Sequence, residues 1–199
     1  VPHEGKWGDA DYRRWGPGYW WQNTRLPYLS MNASGDFDLQ ETLFKMYIDD
    51  LFNINLHRTK QYTGHGGLFM PECIYFWGAS FAATYEWEPY ANRGEDKLQR
   101  SPWHKWEWVN SLELSWMMFE FYGHTQDEQF LQERLIPYAT EVLRFFDEQY
   151  ETDDVGKLVM EPSMALETWW DTTNPLPEIA GLHAVSAKLL ALPEEVTTA

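Results

Sequence analysis

Apolar residues recur at intervals of three and four in four stretches of the chain, and each stretch predicts an amphipathic helix. In the first, Leu39, Leu43, Met46, Tyr47, Leu51 and Ile54 form the stripe, Asp38 and Glu41 resemble a capping box, and the pattern fades near Lys60. In the second, Ser111 to Tyr122, the residues Leu112, Trp116 and Phe119 share a face, with Met118 a further member. Gly123 is the expected stop, and Thr125 with Glu128 matches the S/T-x-x-E start of a third helix running to about Tyr150. Its stripe is Leu131, Leu135, Tyr138, Val142, Phe145 and Phe146, and Pro137 predicts a kink. So short a link predicts an antiparallel hairpin. Pro177 opens the fourth helix, Glu178 to Leu192, which carries Ile179, Leu182, Val185, Leu189 and Leu190. Alternating patterns typical of strands are weak throughout.

The stretches between these helices are long. Residues 1–36 have no helical period and hold Gly5, Gly8, Gly16, Pro17 and Gly18. Tyr62 to Gly78 is a glycine-rich turn followed by an apolar run, Glu86 to Trp103 is polar without period, and a further loop contains EPSMALETWWDTTNPLP. Loops of this length in a compact domain are often functional. Helices separated by long aromatic-rich loops make the expected class all-α, a partial (α/α) toroid of helical hairpins with loops gathered at one end. A closed ring of twelve helices at this spacing needs more than 199 residues. Residues 1–199 are therefore expected to form a single domain that is part of a larger (α/α)6 catalytic domain.

Charge and composition narrow the chemistry. The chain carries 31 acidic and 15 basic residues, a net of −16, which repels phosphate backbones and anionic headgroups; neither a nucleic acid nor a membrane is an expected partner. No run of eighteen apolar residues occurs, and the first twenty residues lack the apolar core of a signal peptide. The chain begins at Val1, which points to processing, trimming or a longer parent. A single cysteine, Cys73, excludes an internal disulfide and a multi-thiolate metal site, and its default role is a small buried side chain. The six histidines never fall at metal-ligand spacing, so no metal and no cofactor is expected. Twelve Trp, 11 Tyr and 11 Phe exceed what a core of this size needs, and some are expected to face a site.

Sugar rings present one apolar C–H face and a rim of hydroxyls, so their sites pair flat aromatics with carboxylates, amides and guanidinium groups. The segment Trp20 to Asp38, WWQNTRLPYLSMNASGDFD, has that vocabulary in Trp20, Trp21, Asn23, Arg25 and Asp36; its plain alternative is a packed loop whose aspartates cap a helix. Glu72, at the head of the apolar run in MPECIYFWG, would be partly desolvated, which raises a carboxyl toward the range of a general acid; its alternative is a helix-start glutamate. In the last loop Glu167 lies between apolar neighbours, beside Trp169 and Trp170, and is the carboxylate most exposed to such a shift among Glu161, Glu167, Asp171 and Glu178. DDLFN, Asp49 to Asn53, looks like the magnesium motif of isoprenoid cyclases, but the companion motif is missing and a polar helix face is the simpler account. Asn32 begins an N-A-S glycosylation sequon by pattern alone.

Three segments, WWQNTRLPYLSMNASGDFD, GHGGLFMPECIYFWG and EPSMALETWWDTTNPLPEIAGLHAVSAKLLAL, occur in order and with similar separation to conserved stretches of one family. Together they resemble the (α/α)6 catalytic domain of inverting α-L-fucosidase-type glycoside hydrolases, and look most like an uncharacterised bacterial branch of that group. The resemblance implies that Asn23 fills the first of two asparagine positions that orient the attacking water, with Arg25 standing in the second. In the next segment Trp77 and Gly78 are kept, while Pro71, Glu72 and Cys73 replace a polar core, which weakens fucose specificity. In the third, Glu167 matches the general acid, with Leu166 in place of proline. A base aspartate would lie beyond Ala199.

The expectation is thus a glycoside hydrolase-like protein acting on a carbohydrate substrate with inversion, the alternative being a non-catalytic carbohydrate-binding or scaffold remnant. Glu167 and Asn23 are the expected catalytic residues, and Trp20, Trp21, Arg25, Asp36, Glu72, Trp77, Trp169 and Trp170 the expected substrate contacts. The expected location is secreted or periplasmic, and the uncovered flanks of a part-ring make self-association an expected partner relation.

Overall fold

The computed structural model describes residues 18–79, 105–165 and 169–193. The fold is all-α, with one small antiparallel ladder between β1 (Tyr19–Trp20) and β2 (Cys73–Ile74) in the register Tyr19 to Ile74 and Trp20 to Cys73. After β1 the chain makes a short helix α1 (Trp21–Thr24), a 3-10 turn (Leu26–Ser30) and α2 (Met31–Ser34), ended by a left-handed Gly35.

The first expected helix is present but divided. It consists of α3 (Phe37–Phe44), a π-helical turn (Lys45–Asp50) and α4 (Phe52–Thr63). Asp36, not Asp38, occupies the N-cap, and no side chain caps the helix, which corrects the expected box. Leu43, Tyr47 and Leu51 are buried, whereas Leu39, in the first turn of α3, and Ile54, beyond the π turn, face outward.

α5 (Val109–Thr125) overruns the expected stop at Gly123 and ends at a left-handed Gln126. The next helix is capped by Asp127, whose carboxylate accepts the Phe130 N–H at 3.0 Å, so the Thr125 box is corrected as well. A short α6 (Glu128–Phe130), a second π turn (Leu131–Leu135) and α7 (Ile136–Gln149) follow. The widened turn accommodates Pro137, which has no N–H to offer the preceding turn. Every residue of the expected stripe from Leu131 to Phe146 is buried. α8 (Leu176–Leu190) opens with Pro177 in its first turn; Val185 is buried, but Ile179 and Leu190 of its expected stripe are exposed.

α5 is the hub, packing against α7, α8 and α2. Gly181 on α8 permits the closest approach: a Cβ there would lie 2.9 Å from the Leu112 side chain. Edge-on and tilted aromatic contacts knit the interior, with Phe69, Trp108 and Phe145 forming one group at centroid separations of 4.9 to 5.5 Å and Phe44, Phe121 and Phe130 a second at 4.7 to 5.1 Å.

Between α4 and β2 the chain runs as a buried strap. Gly67, at a positive φ of 81°, lies so near the Phe145 backbone that a Cβ would come within 2.3 Å of it. The strap's amides are met one by one: Leu68 N–H by the Glu141 carbonyl at 2.8 Å, Phe69 N–H by Thr59 Oγ1 at 3.1 Å, and Met70 N–H by Ser111 Oγ at 2.8 Å. This strap delivers Glu72 to the interior. Among the described residues no helix is long and apolar enough to cross a membrane.

Candidate functional site

The β1–β2 ladder fixes the first part of the site. Its hydrogen bonding continues one step into α1, where Trp21 N–H donates to the Glu72 carbonyl at 2.8 Å and Gln22 N–H donates to Glu72 Oε1 at 3.0 Å. Trp21 is buried to 1 % exposure, packs edge-on against Tyr47 at 5.3 Å, and its indole Nε1–H donates to Glu113 Oε2 at 2.8 Å. It is a core residue, which corrects its expected place in a sugar platform. The other oxygen of Glu113, Oε1, lies 2.7 Å from Arg25 Nε and forms an ion pair with it.

These contacts form one wall of a cleft of about 640 Å³, a size ordinary for small-molecule sites. Its polar lining is Gln22, Arg25, Glu107, Asn110 and Glu113, joined by the indole of Trp116; the apolar side comes from Val109 and Leu112 and from Pro177, Ala180, Gly181 and Ala184 of α8. Trp116 is thus a cleft residue with 37 % exposure, not part of the packed face of α5. Ala165 also lines the cleft, and its N–H donates to the Trp169 carbonyl at 3.1 Å.

Two carboxyl groups stand behind this lining. Glu72 is 1 % exposed and does not line the cleft, so it cannot contact hydroxyls there as expected. Burial first, and the charge of Glu107 second, push its carboxyl up to about 9, against the opposing pull of the Gln22 N–H, Arg25 and the Asn110 side chain. Its Oε2 has no aligned hydrogen bond among the described residues. Glu178, in the first turn of α8, is 0 % exposed, and burial followed by the charge of Glu107 raises it to about 8. The backbone amides of Glu178, Val109 and Trp108 act against that rise, yet neither carboxylate oxygen has an aligned hydrogen bond among the described residues. Cys73 is fully buried, and desolvation together with Glu72 pushes its thiol well above the reactive range.

The remaining expected residues are distributed differently. Glu167 lies outside the described residues. Asn23 is exposed on α1 and does not line the cleft, whereas its neighbours Gln22 and Arg25 do. Asp36 is exposed and accepts a hydrogen bond from Ser34 Oγ. Trp20 is half-buried in the ladder, and Trp169 and Trp170 are exposed. Trp77 is exposed and stacks on Tyr75, with ring centroids 4.3 Å apart and planes within 5°. Asp49 of the DDLFN stretch is engaged by Arg134 at 2.7 Å.

Sequence reasoning missed Glu107, Asn110, Glu113, Trp116 and Gln22. Glu107, Asn110, Glu113 and Trp116 recur every third residue, the first just before α5 and the other three along it, on a helix otherwise rich in buried apolar residues. That polar row on an otherwise apolar helix was the available signal. No protein-family model matches the chain, and no curated protein matches it.

Proposed function

We propose that the chain is a glycoside hydrolase-like protein whose cleft accepts a sugar ring, and that the intact domain hydrolyses a glycosidic bond with inversion. The observation that carries this reading is the composition of the cleft wall. Two carboxylates, two amides and one guanidinium line it together with one flat indole and an alanine- and glycine-rich surface, matching the hydroxyl rim and apolar face of a pyranose. In this reading Glu167, two residues along the chain from the cleft residue Ala165, protonates the leaving oxygen while water attacks the opposite face of the anomeric carbon. The hairpin of α5 and α7 would be one element of a partial (α/α) toroid.

A panel of nitrophenyl glycosides identifies the sugar, and an alkyl glycoside or disaccharide of that sugar tests the acid. Glu167→Gln is expected to lose about 10²- to 10⁴-fold in turnover on the unactivated substrate and far less on the nitrophenyl one, whose leaving group needs no proton. Equal activity of wild type and variant on the unactivated substrate would remove Glu167 from the mechanism. The exposed Trp77, Trp169 and Trp170 favour a second reading, carbohydrate binding without turnover. Glycan-array binding lost in Trp77→Ala, with no hydrolysis of any substrate, would establish it.

A further inference from the structure

A buried indole anchors one polar end of the cleft. Trp21 is held from three sides: its N–H donates to the Glu72 carbonyl at 2.8 Å, its ring packs edge-on against Tyr47 at 5.3 Å, and its Nε1–H donates to Glu113 Oε2 at 2.8 Å. The Glu113 carboxylate is thereby fixed to the core, and its other oxygen lies 2.7 Å from Arg25 Nε. Both members of this ion pair stay open to solvent, with side chains 27 % and 29 % exposed for Arg25 and Glu113, and both line the cleft. A pair this exposed adds little to stability. Arg25 Nε is itself out of contact with solvent, so a polar contact between Arg25 and a ligand runs through the terminal nitrogens of the guanidinium. Glu113 Oε1 keeps a second lone pair beside them.

The pair sets a donor and an acceptor side by side, which two adjacent sugar hydroxyls complete: one hydroxyl oxygen accepts from Arg25, and its neighbour donates to Glu113. Trp116 follows Glu113 by three residues on α5, so its exposed indole stands one turn along the same face. On the α8 side Pro177, Ala180, Gly181 and Ala184 line the cleft with small side chains and leave room for a ring. We propose that Arg25 and Glu113, with Trp21 as their positioning residue, determine specificity in this cleft, and that the ligand is an uncharged sugar gripped at two adjacent hydroxyls with its ring on Trp116. This rests on the carbohydrate reading of the cleft and names the class of sugar. The pair is neutral as a unit: a carboxylate on the ligand meets a like charge in Glu113, an ammonium meets one in Arg25, and either leaves its hydration behind.

Monodeoxy versions of the nitrophenyl glycoside that the wild type hydrolyses test this on the full chain. Loss of the hydroxyl at two neighbouring ring positions should cost about 10- to 100-fold each in kcat/KM. In Arg25→Met one of those two penalties should disappear, and in Glu113→Met, which also releases Arg25, both should shrink. Trp21→Phe keeps a ring in the core and removes only the indole N–H. It should raise KM about 3- to 10-fold with kcat kept and lessen both penalties, a pattern that a loss of stability alone would not produce. Penalties unchanged in both Arg25→Met and Glu113→Met would overturn the proposal, and so would faster turnover of the uronic acid or amino sugar counterpart. If the wild type hydrolyses nothing, glycan-array binding replaces turnover: uncharged glycans should be bound, and Arg25→Met and Trp116→Ala should each lose them. Neither turnover nor binding by the wild type sinks the carbohydrate reading and this proposal together. Turnover or binding indifferent to Arg25, Glu113 and Trp116 sinks this proposal alone.

Discussion

Toward α7, helix α5 presents Leu114, Met118 and Phe121 to an interior whose polar groups are hydroxyls and an indole: Ser115 Oγ donates to the Ser111 carbonyl at 2.9 Å, Trp108 Nε1 donates to Tyr150 at 2.7 Å, and the buried Tyr138 hydroxyl has no aligned partner among the described residues. Toward α8 and α1 the same helix presents Asn110 and Glu113, with Glu107 just before its first turn, and among the described residues the carboxyls packed behind them keep oxygens without aligned partners. A stable core has no use for unanswered buried carboxyls, since each costs about 1–3 kcal/mol or more. Their presence on one side of a helix whose other side buries hydroxyl and indole groups marks the cleft side as built for something besides stability.

The largest test of that contrast is on the hairpin side. Phe145 is completely buried among Phe69, Trp108 and Phe146, and Phe145→Ala should cost about 3–5 kcal/mol in urea unfolding. A cost under 1 kcal/mol would mean the hairpin is not the packed half of the molecule.

On the cleft side the sign reverses. Glu72, raised from 4.5 to about 9, keeps its proton in the folded state across a range where the unfolded chain releases it. The folded state then binds more protons, so wild-type stability should fall as pH rises from about 4.5 to about 9. Glu178 acts in the same direction up to about 8. Glu72→Gln imitates the protonated form. It should match wild type near pH 4 and exceed it by about 1–3 kcal/mol near pH 8 in thermal or urea unfolding. A variant less stable than wild type at pH 8 would show that Glu72 is ionised in the fold.

The smallest expected effect lies on the surface. Arg134 bridges Glu41 and Asp49, each at 2.7 Å, and Arg134→Met should cost about 0.5–1 kcal/mol at low salt and less at high salt. A salt-independent loss would point to packing of the arginine stem, not to its charge.

Much of the helical frame was legible because burial imposes a period. The stripe from Leu131 to Phe146 needed no correction, since one face of that helix meets the core along its whole length. The ends of helices were less legible. Asp127 and Asp36 took cap positions assigned to their neighbours, because several short polar side chains stood close enough to serve. In the site, the apolar run correctly signalled the desolvation of Glu72, but contact with a ligand was not legible from it, since the ladder with β1 turns the group inward. The same ladder takes Trp21 into the core while leaving Gln22 and Arg25 at the cleft. Adjacent residues on a short helix diverge, and composition cannot say which goes where.

The two π turns, Lys45–Asp50 and Leu131–Leu135, are joined by the Arg134–Asp49 pair. Each holds one residue more than an α-helical turn, and deleting that residue would swing everything on one side by roughly 100° about the helix axis. Loss of a single codon in either place would therefore be felt far from where it occurred. In the first it would turn Leu43 and Phe44 away from their neighbours, and in the second it would carry Phe130 off the aromatic group it shares with Phe44 and Phe121.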